Sequence, residues 1–394
     1  MNNREAEFNS QMRICHFCFA LDSAKGGVPG GLVLITLQLT KFGILNEIYS
    51  SGITRKQLVR NSSSWAALSK IGVNIGYSIT PFANEYGLGN TIGIRSKINK
   101  IIIPDLVVLH QVYTLSTYLG YRFAKRNGIP YAVFPHGSLT HYTEGDTTLI
   151  KNIAKRLIIS RILRDSDAII VTCESEKADL QIGLQSKSTL LPYGAEIKNV
   201  DSESEHKVPS DSRNLRILFS GRFHKVKNLP LLIAAMPLIV SKFPHLILDI
   251  AGKGSEGERS VLVKLIHDLN IEKSVEFHGW VDKNKMEQLF RSASLLVLPS
   301  ENENFALVVS EALSSGVPCV VSQFVGTSDI VARHHAGEII EELTPESVAA
   351  AVLKVLEGDQ LAYREAAFKA TREDLDWSKI ALKWKALISS LDVE

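Results

Sequence analysis

Cysteine is scarce in this sequence: Cys15, Cys18, Cys173 and Cys319 are the four among 394 residues. That excludes a disulfide-stapled scaffold and fits a reducing cytoplasm. Cys15 and Cys18 form a literal C-x-x-C in "RICHFCFA". The segment reads as a strand, however, where residues three apart point to opposite faces, and no second Cys/His pair follows to complete a metal site. Both thiols are therefore read as small buried hydrophobes. No apolar run reaches the ~18 residues of a membrane-spanning helix. The opening "MNNREAEFNSQ" lacks the apolar stretch of a secretory signal, so a cytoplasmic protein is expected. Net charge is only +2, and Lys and Arg form no long blocks, so no field points to nucleic acid.

What is present is an ordinary soluble composition, 45% hydrophobic and 22% charged, in a chain long enough for two domains. Short apolar runs alternate with helical patterns. In the first half they are "RICHFCFA", "KIGVNIGYSI", "PDLVVLH", "PYAVFPHG" and "DAIIVTCE". In the second they are "LRILFSGR", "HLILDIAGKG", "SVEFHGW", "ASLLVLPS" and "PCVVS". Buried runs separated by helix-length segments argue for parallel sheets covered on both faces. The expected class is α/β, with two Rossmann-like doubly wound domains facing across a cleft. Residues 1–196 form the first domain, the serine-rich acidic stretch 197–213 a linker, and 214–375 the second domain. Residues 376–394, with Trp377, Ile380 and Trp384 at helical spacing, form a helix expected to pack back toward the first domain. Ligands of such sheets bind at the carboxyl ends of the strands.

The strand-end loops carry the candidates. "FSGRFHKVKN" places Gly221, Arg222 and Lys227 between a strand and a helix, where two cations suit a diphosphate or form a solvated loop charge. "IAGKGSEG" contains Gly252, Gly254 and Gly257 as a literal G-x-G-x-x-G. A dinucleotide reading needs an acid at the end of the next strand, and Glu276 lies within "SVEF" instead, so NAD is discounted. "PSENENFALVVSEALSSG" is the richest loop: Glu303 falls in the turn and Glu311 on the following helix, read as residues 305–314. The amides of Phe305, Ala306 and Leu307 are that helix's unpaired donors, suited to a phosphate or simply capped. Small and apolar neighbours suggest a half-buried Glu311, able to accept hydrogen bonds from sugar hydroxyls. Glu301 reads as loop charge. In the first half, Gly27 lies in the glycine-dense "KGGVPGG", and His110 and His136 end successive strands.

Taken in order, the glycine-rich loop, the strand-end His136, "GRFHKVKN", "AGKGS" and "ENENFALVVSEA" resemble the retaining GT-B glycosyltransferases of family 4, over nearly the whole chain. The most specific part is Glu303 and Glu311 in E-x7-E spacing followed by "ALSSGVPCV". The resemblance implies a nucleotide-sugar donor held by the second domain. Arg222 and Lys227 would hold its diphosphate, aided by Gly221, Gly252 and the backbone of Phe305, Ala306 and Leu307. Glu311 would bind the ribose and Glu303 would lie at the transferred sugar. Gly27 would approach the diphosphate and His136 the reacting sugar, with the acceptor on the first domain. "FPHGSL" looks like members that build bacterial surface polysaccharides, which implies a saccharide or polyprenyl-linked acceptor. "PYGAE" departs from the family's usual Pro-Asn-Gly, which puts a side-chain role of Tyr193 in doubt. No metal or other cofactor is expected, because "DSD" (Asp165 and Asp167) precedes its strand and reads as a helix stop. Transfer would retain the anomeric configuration. Two rivals stay open: a nucleotide-sugar epimerase of the same fold, and a non-catalytic sugar-nucleotide binder. The basic, apolar segment 149–164 suggests weak contact with an anionic membrane surface, or a helix packed on its own sheet.

Overall fold

Runs of aliphatic residues only four to six long cannot bury themselves as helices, but side by side they make a sheet whose two faces both need cover. A computed structural model arranges them in this way. It describes residues 11–19, 28–53, 68–70, 72–79, 98, 101–139, 158–196 and 215–391. The chain divides into two compact units, one of Met1–Pro192 with Ser378–Glu394 and the other of Tyr193–Trp377. The stretch 197–213, read as a linker, lies outside the described residues.

The first unit holds β1 (Arg13–Cys18), α1 (Val28–Lys41), β2 (Leu45–Ile53), β3 (Asn74–Ile79), β4 (Leu106–His110), α2 (Leu115–Asn127), β5 (Tyr131–Phe134), α3 (Ser160–Arg164), β6 (Ala168–Val171), α4 (Glu174–Ala178), α5 (Ile182–Gln185) and β7 (Ser188–Leu190). The seven strands are parallel in the order β3-β2-β1-β4-β5-β6-β7. Alternation divides β1 between two cores: Cys15 and Phe17 join the cluster under α2, whereas Cys18 packs with Leu32 and Ile48. The two thiols of the C-x-x-C are thus buried on different cores, and all four cysteines are free. Strands β2 and β7 escape a reading based on apolar runs. Strand β2 carries Asn46 and Glu47 inside, each held by a polar partner; Glu47 accepts from Arg13 Nη1 at 2.9 Å.

The second unit continues with β8 (Arg216–Ser220), α6 (Leu229–Lys242), β9 (Ile247–Ala251), α7 (Glu256–Asp268), β10 (Val275–Gly279), α8 (Lys283–Ser292), β11 (Leu295–Leu298), α9 (Leu307–Ser314), β12 (Cys319–Ser322), α10 (Ser328–His334), β13 (Gly337–Ile340), α11 (Pro345–Glu357), α12 (Gln360–Asp374) and α13 (Trp377–Leu391). Its six parallel strands follow the order β10-β9-β8-β11-β12-β13. Helix α13 starts at the last residue of this unit and continues into the first, where Trp384 is buried with its ring 6.5 Å from that of Phe134. In both sheets the strand order reverses beside the first strand. Crossovers therefore leave in opposite directions between β1 and β4, and again between β8 and β11, so each sheet has a switch point at its carboxyl edge. No helix among the described residues is long and apolar enough to cross a membrane.

Backbone crowding at one strand end fixes which glycine of "AGKGSEG" matters. Gly252 has φ +153, and a Cβ there would lie 1.8 Å from the Gly221 carbonyl oxygen. At Gly221 itself a Cβ would meet nothing closer than Lys227 Cε at 3.7 Å, so the close approach belongs to Gly252 rather than Gly221. A Cβ on Gly254 would press on Phe223 Cβ at 2.7 Å, while one on Gly257 would meet nothing within 4 Å. Gly252 and Gly254 thus serve the tight packing after β8 and β9, and Gly257 has no steric role. Gly252→Ala should lower the urea midpoint by more than about 1 kcal/mol of stability. Gly257→Ala, inside helix α7, should leave it unchanged or raise stability by roughly 0.5–1 kcal/mol. Equal effects from the two substitutions would contradict this assignment.

Candidate functional site

The second unit gathers its polar side chains at the switch point between β8 and β11. After β8 the chain makes one 3₁₀ turn, Lys225–Lys227, capped by the His224 side chain, and enters α6 through Asn228 in the left-handed region. That turn aims Lys227 at the loop after β11, where its ammonium pairs with the Glu303 carboxylate. Both side chains are mostly shielded, at 19% and 22% exposure, so neither charge is fully solvated and each compensates the other. The Glu301 amide donates to the Val226 carbonyl at 2.8 Å and ties the two loops together. On its far side the Glu303 backbone is pinned to the loop after β12: its amide donates to Phe324 O at 3.0 Å, and its carbonyl accepts from Gly326 at 2.8 Å. Arg222, on the same loop five residues before Lys227, is exposed.

The helix after Glu303 begins later than its pattern suggests. Ala306 adopts φ 62° and ψ 74°, so α9 opens at Leu307, while Phe305 and Ala306 lie buried ahead of it. Ala306 has no oxygen with which to cap the helix. Glu311 sits on α9 with its side chain exposed, not half-buried: the small neighbours Ala312 and Ser315 face inward and leave the carboxylate outside. Tyr193 packs edge-on to Phe305, 5.3 Å between ring centres, and a Cβ on Gly194 would strike the Trp377 ring at 2.6 Å. The "PYGAE" segment therefore braces the loop by packing. Neither aspartate of "DSD" lies at a carboxyl strand end; Asp165 caps α3, and Asp167 accepts from the Tyr131 amide at 2.8 Å.

In the first unit, His136 lies in a turn that few side chains would adopt. His136 and Gly137 have φ 53° and 76°, and the Ser138 amide returns to the Pro135 carbonyl at 3.2 Å. A non-glycine residue in the left-handed region costs about 1–2 kcal/mol, so the surroundings must hold it. Glu176, itself buried, accepts from the Gly137 amide at 2.6 Å and from the amide and hydroxyl of Thr172 at 2.8 and 3.0 Å. Behind the turn, His136 Nε2 meets His110 Nδ1 at 2.8 Å, and His110 Nε2 meets His16 Nδ1 at 2.9 Å. Gly27 lies outside the described residues. So does 149–157 of the basic segment; in its described remainder Ile162 and Leu163 are buried, while Ile158 is 47% exposed. Asn46, His16 and Glu176 drew no attention in the sequence, because their roles depend on strand register and not on local pattern.

Burial pushes His16 down to about 4 and holds His110 well below its usual value; the half-buried His136 is also pushed down by burial. All three are neutral in the folded protein at pH 7. The unfolded chain takes up these protons below about 6.5, so stability is full above that value and falls with pH from 6.5 toward 4. Unfolding free energies measured in urea should drop by about 2 kcal/mol for each of His16 and His110 between pH 7.5 and 5. A flat profile over that range would contradict the buried neutral pair.

Parts of this chain match known protein families. Residues 103–194 match the family model for the Glycosyl transferase 4-like domain, and residues 200–374 match that for Glycosyl transferases group 1. A D-inositol 3-phosphate glycosyltransferase of Corynebacterium urealyticum is 24% identical over 272 residues, 64% of this chain and 63% of that protein. One from Streptomyces griseus is 27% identical over 311 residues, covering 70% and 65%. The chain thus spans somewhat less than two thirds of these curated relatives. Among solved structures, the HepE protein of Anabaena in complex with UDP and glucose superposes with a TM-score of 0.72 at 17% identity, over 96% of this chain and 100% of that one. That likeness establishes the α/β GT-B fold. With the two family models matched in tandem between residues 103 and 374, the chain belongs to the GT-B glycosyltransferases of family 4.

Proposed function

We propose that this protein is a retaining, metal-independent glycosyltransferase. It would move a hexose from a nucleotide-sugar to a saccharide or polyprenyl-linked saccharide acceptor, in the assembly of a bacterial surface polysaccharide. The observation that carries the reading is the Lys227–Glu303 pair at the β8–β11 switch point, with exposed Arg222 on the same loop as Lys227 and the uncapped start of α9 after Glu303 in the chain. When the bond from the sugar's anomeric carbon to the diphosphate breaks, negative charge accumulates on the leaving phosphate. Groups that already carry opposite charge there lower the barrier without reorganising. Arg222, Lys227 and the first-turn amides of α9 can take that part with no metal. Gly221 and Gly252, packed together at the strand ends, let backbone approach the nucleotide. The backbone of Phe305, Ala306 and Leu307 completes the phosphate cradle.

Glu303, on the same loop, lies at the transferred sugar, and exposed Glu311 is accessible to the ribose hydroxyls. By the resemblance, His136 would act at the reacting sugar and Gly27 at the diphosphate. The acceptor hydroxyl attacks the face that the diphosphate leaves, its proton passes to the departing phosphate oxygen, and configuration is retained. The UDP complex of HepE makes uridine diphosphate the first nucleotide to try. A polyprenyl-linked acceptor would bring the protein to the cytoplasmic membrane face, and the basic segment 149–164 is suited to that contact.

Two measurements test the reading. In a thermal-shift panel of nucleotide-sugars, one donor should raise the melting temperature well above the others. Lys227→Ala should then lose about 1.5–3 kcal/mol of charge-assisted contact, a roughly ten- to hundredfold drop in kcat/KM. Unchanged kinetics in this variant would remove Lys227 from the diphosphate.

A further inference from the structure

Three histidines and an asparagine form one continuous hydrogen-bonded row across four strands of the first sheet. Register places them there. Asn46 is the partner of Ile14, and His16 stands two residues beyond Ile14. His16 is opposite Val108, and His110 stands two residues beyond it. His110 is opposite Phe134, and His136 stands two residues beyond that. Each step of two keeps the side chain on the same face and moves it toward the carboxyl edge. The bonds along the row are 3.0 Å from His16 Nε2 to Asn46 Oδ1, then 2.9 Å and 2.8 Å along the histidines.

The direction of the donors is determined at the inner end. The Asn46 amide nitrogen donates to the Ile44 carbonyl at 2.8 Å and to Thr40 Oγ1 at 3.0 Å. A carbonyl can only accept, so Oδ1 is the atom that faces His16, and His16 must donate from Nε2. A neutral imidazole carries one proton, so His16 Nδ1 accepts from His110 Nε2. By the same rule His110 Nδ1 accepts from His136 Nε2, which leaves the lone pair of His136 on Nδ1. The row is also a dead end for protons, because it terminates on an amide that is not basic. It holds a tautomer and does not conduct.

We propose that His16 and His110 are positioning residues which lock the His136 ring with its proton on Nε2 and its lone pair on Nδ1. This rests on the role given above to His136 at the sugar, to which the row adds a fixed tautomer. The strained turn at Pro135–Ser138 and its bond to Glu176 fix the backbone, and the row fixes the ring.

The test is nitrogen NMR of the full chain labelled at histidine, at pH 7.5 without substrate, with His136 assigned by loss of its signals in His136→Gln. The expected spectrum shows a protonated Nε2 and an unprotonated Nδ1 at His136. The Nδ1-protonated tautomer or an imidazolium overturns the proposal, and this result needs no variant of the row to fold. In His110→Phe, which keeps ring shape but no hydrogen bond, the tautomer should become mixed. The kcat with the nucleotide-sugar picked out by the donor panel should fall at least tenfold while KM for that donor holds. His110→Gln, which can still accept and donate, should recover part of the loss. An unmixed tautomer in His110→Phe, or a kcat unchanged by it, also overturns the proposal. A locked tautomer in a protein that turns over no nucleotide-sugar would instead refute the transferase reading and leave the row's structural role standing.

Discussion

The reversal of strand order beside the first strand of each sheet is the constraint on which the rest of the molecule depends. Parallel strands joined by right-handed crossovers send their helices to opposite faces on either side of that point, and the carboxyl edge opens there. Both units place a polar cluster at this position. In the second, the Lys227–Glu303 pair spans from the loop after β8 to the loop after β11. In the first, the His16–His110 bond spans β1 and β4 themselves. Neither arrangement would survive in a sheet whose strands followed in sequence order, since the partners would not be neighbours.

The two units solve the problem of buried polarity differently. The second compensates charge with charge, partly shielded and therefore sensitive to whatever anion approaches. Along its histidine row the first instead uses neutral imidazoles joined by hydrogen bonds, with no charge to desolvate there.

Much of this was legible in the sequence. The apolar runs gave the parallel sheets, and the strand-end positions of Arg222, Lys227 and Glu303 followed from where those runs stop. What was not legible depends on the third dimension. Strand β2 is hidden from a reading of apolar runs because Asn46 and Glu47 interrupt its apolar face, and their partners, His16 and Arg13, are thirty and thirty-four residues away. Glu311 was expected half-buried from its small neighbours, yet those neighbours are the ones that turn inward. The late start of α9 came from a left-handed Ala306, a conformation that alanine rarely adopts and that no propensity would suggest. The steric demand at these strand ends falls on Gly252 and not on Gly221, since only the folded strand ends show which backbone approaches which.

The central claim is that the ion pair after β8 and β11 is a diphosphate site. A crystal structure of the protein with uridine diphosphate, or with the nucleoside diphosphate of the donor found to stabilise it, tests this most directly. The account predicts phosphate oxygens within hydrogen-bonding distance of Lys227 Nζ and the Arg222 guanidinium, with the Leu307 end of α9 facing the same group. A diphosphate bound elsewhere in the second unit, with Lys227 still held by Glu303 alone, would contradict it.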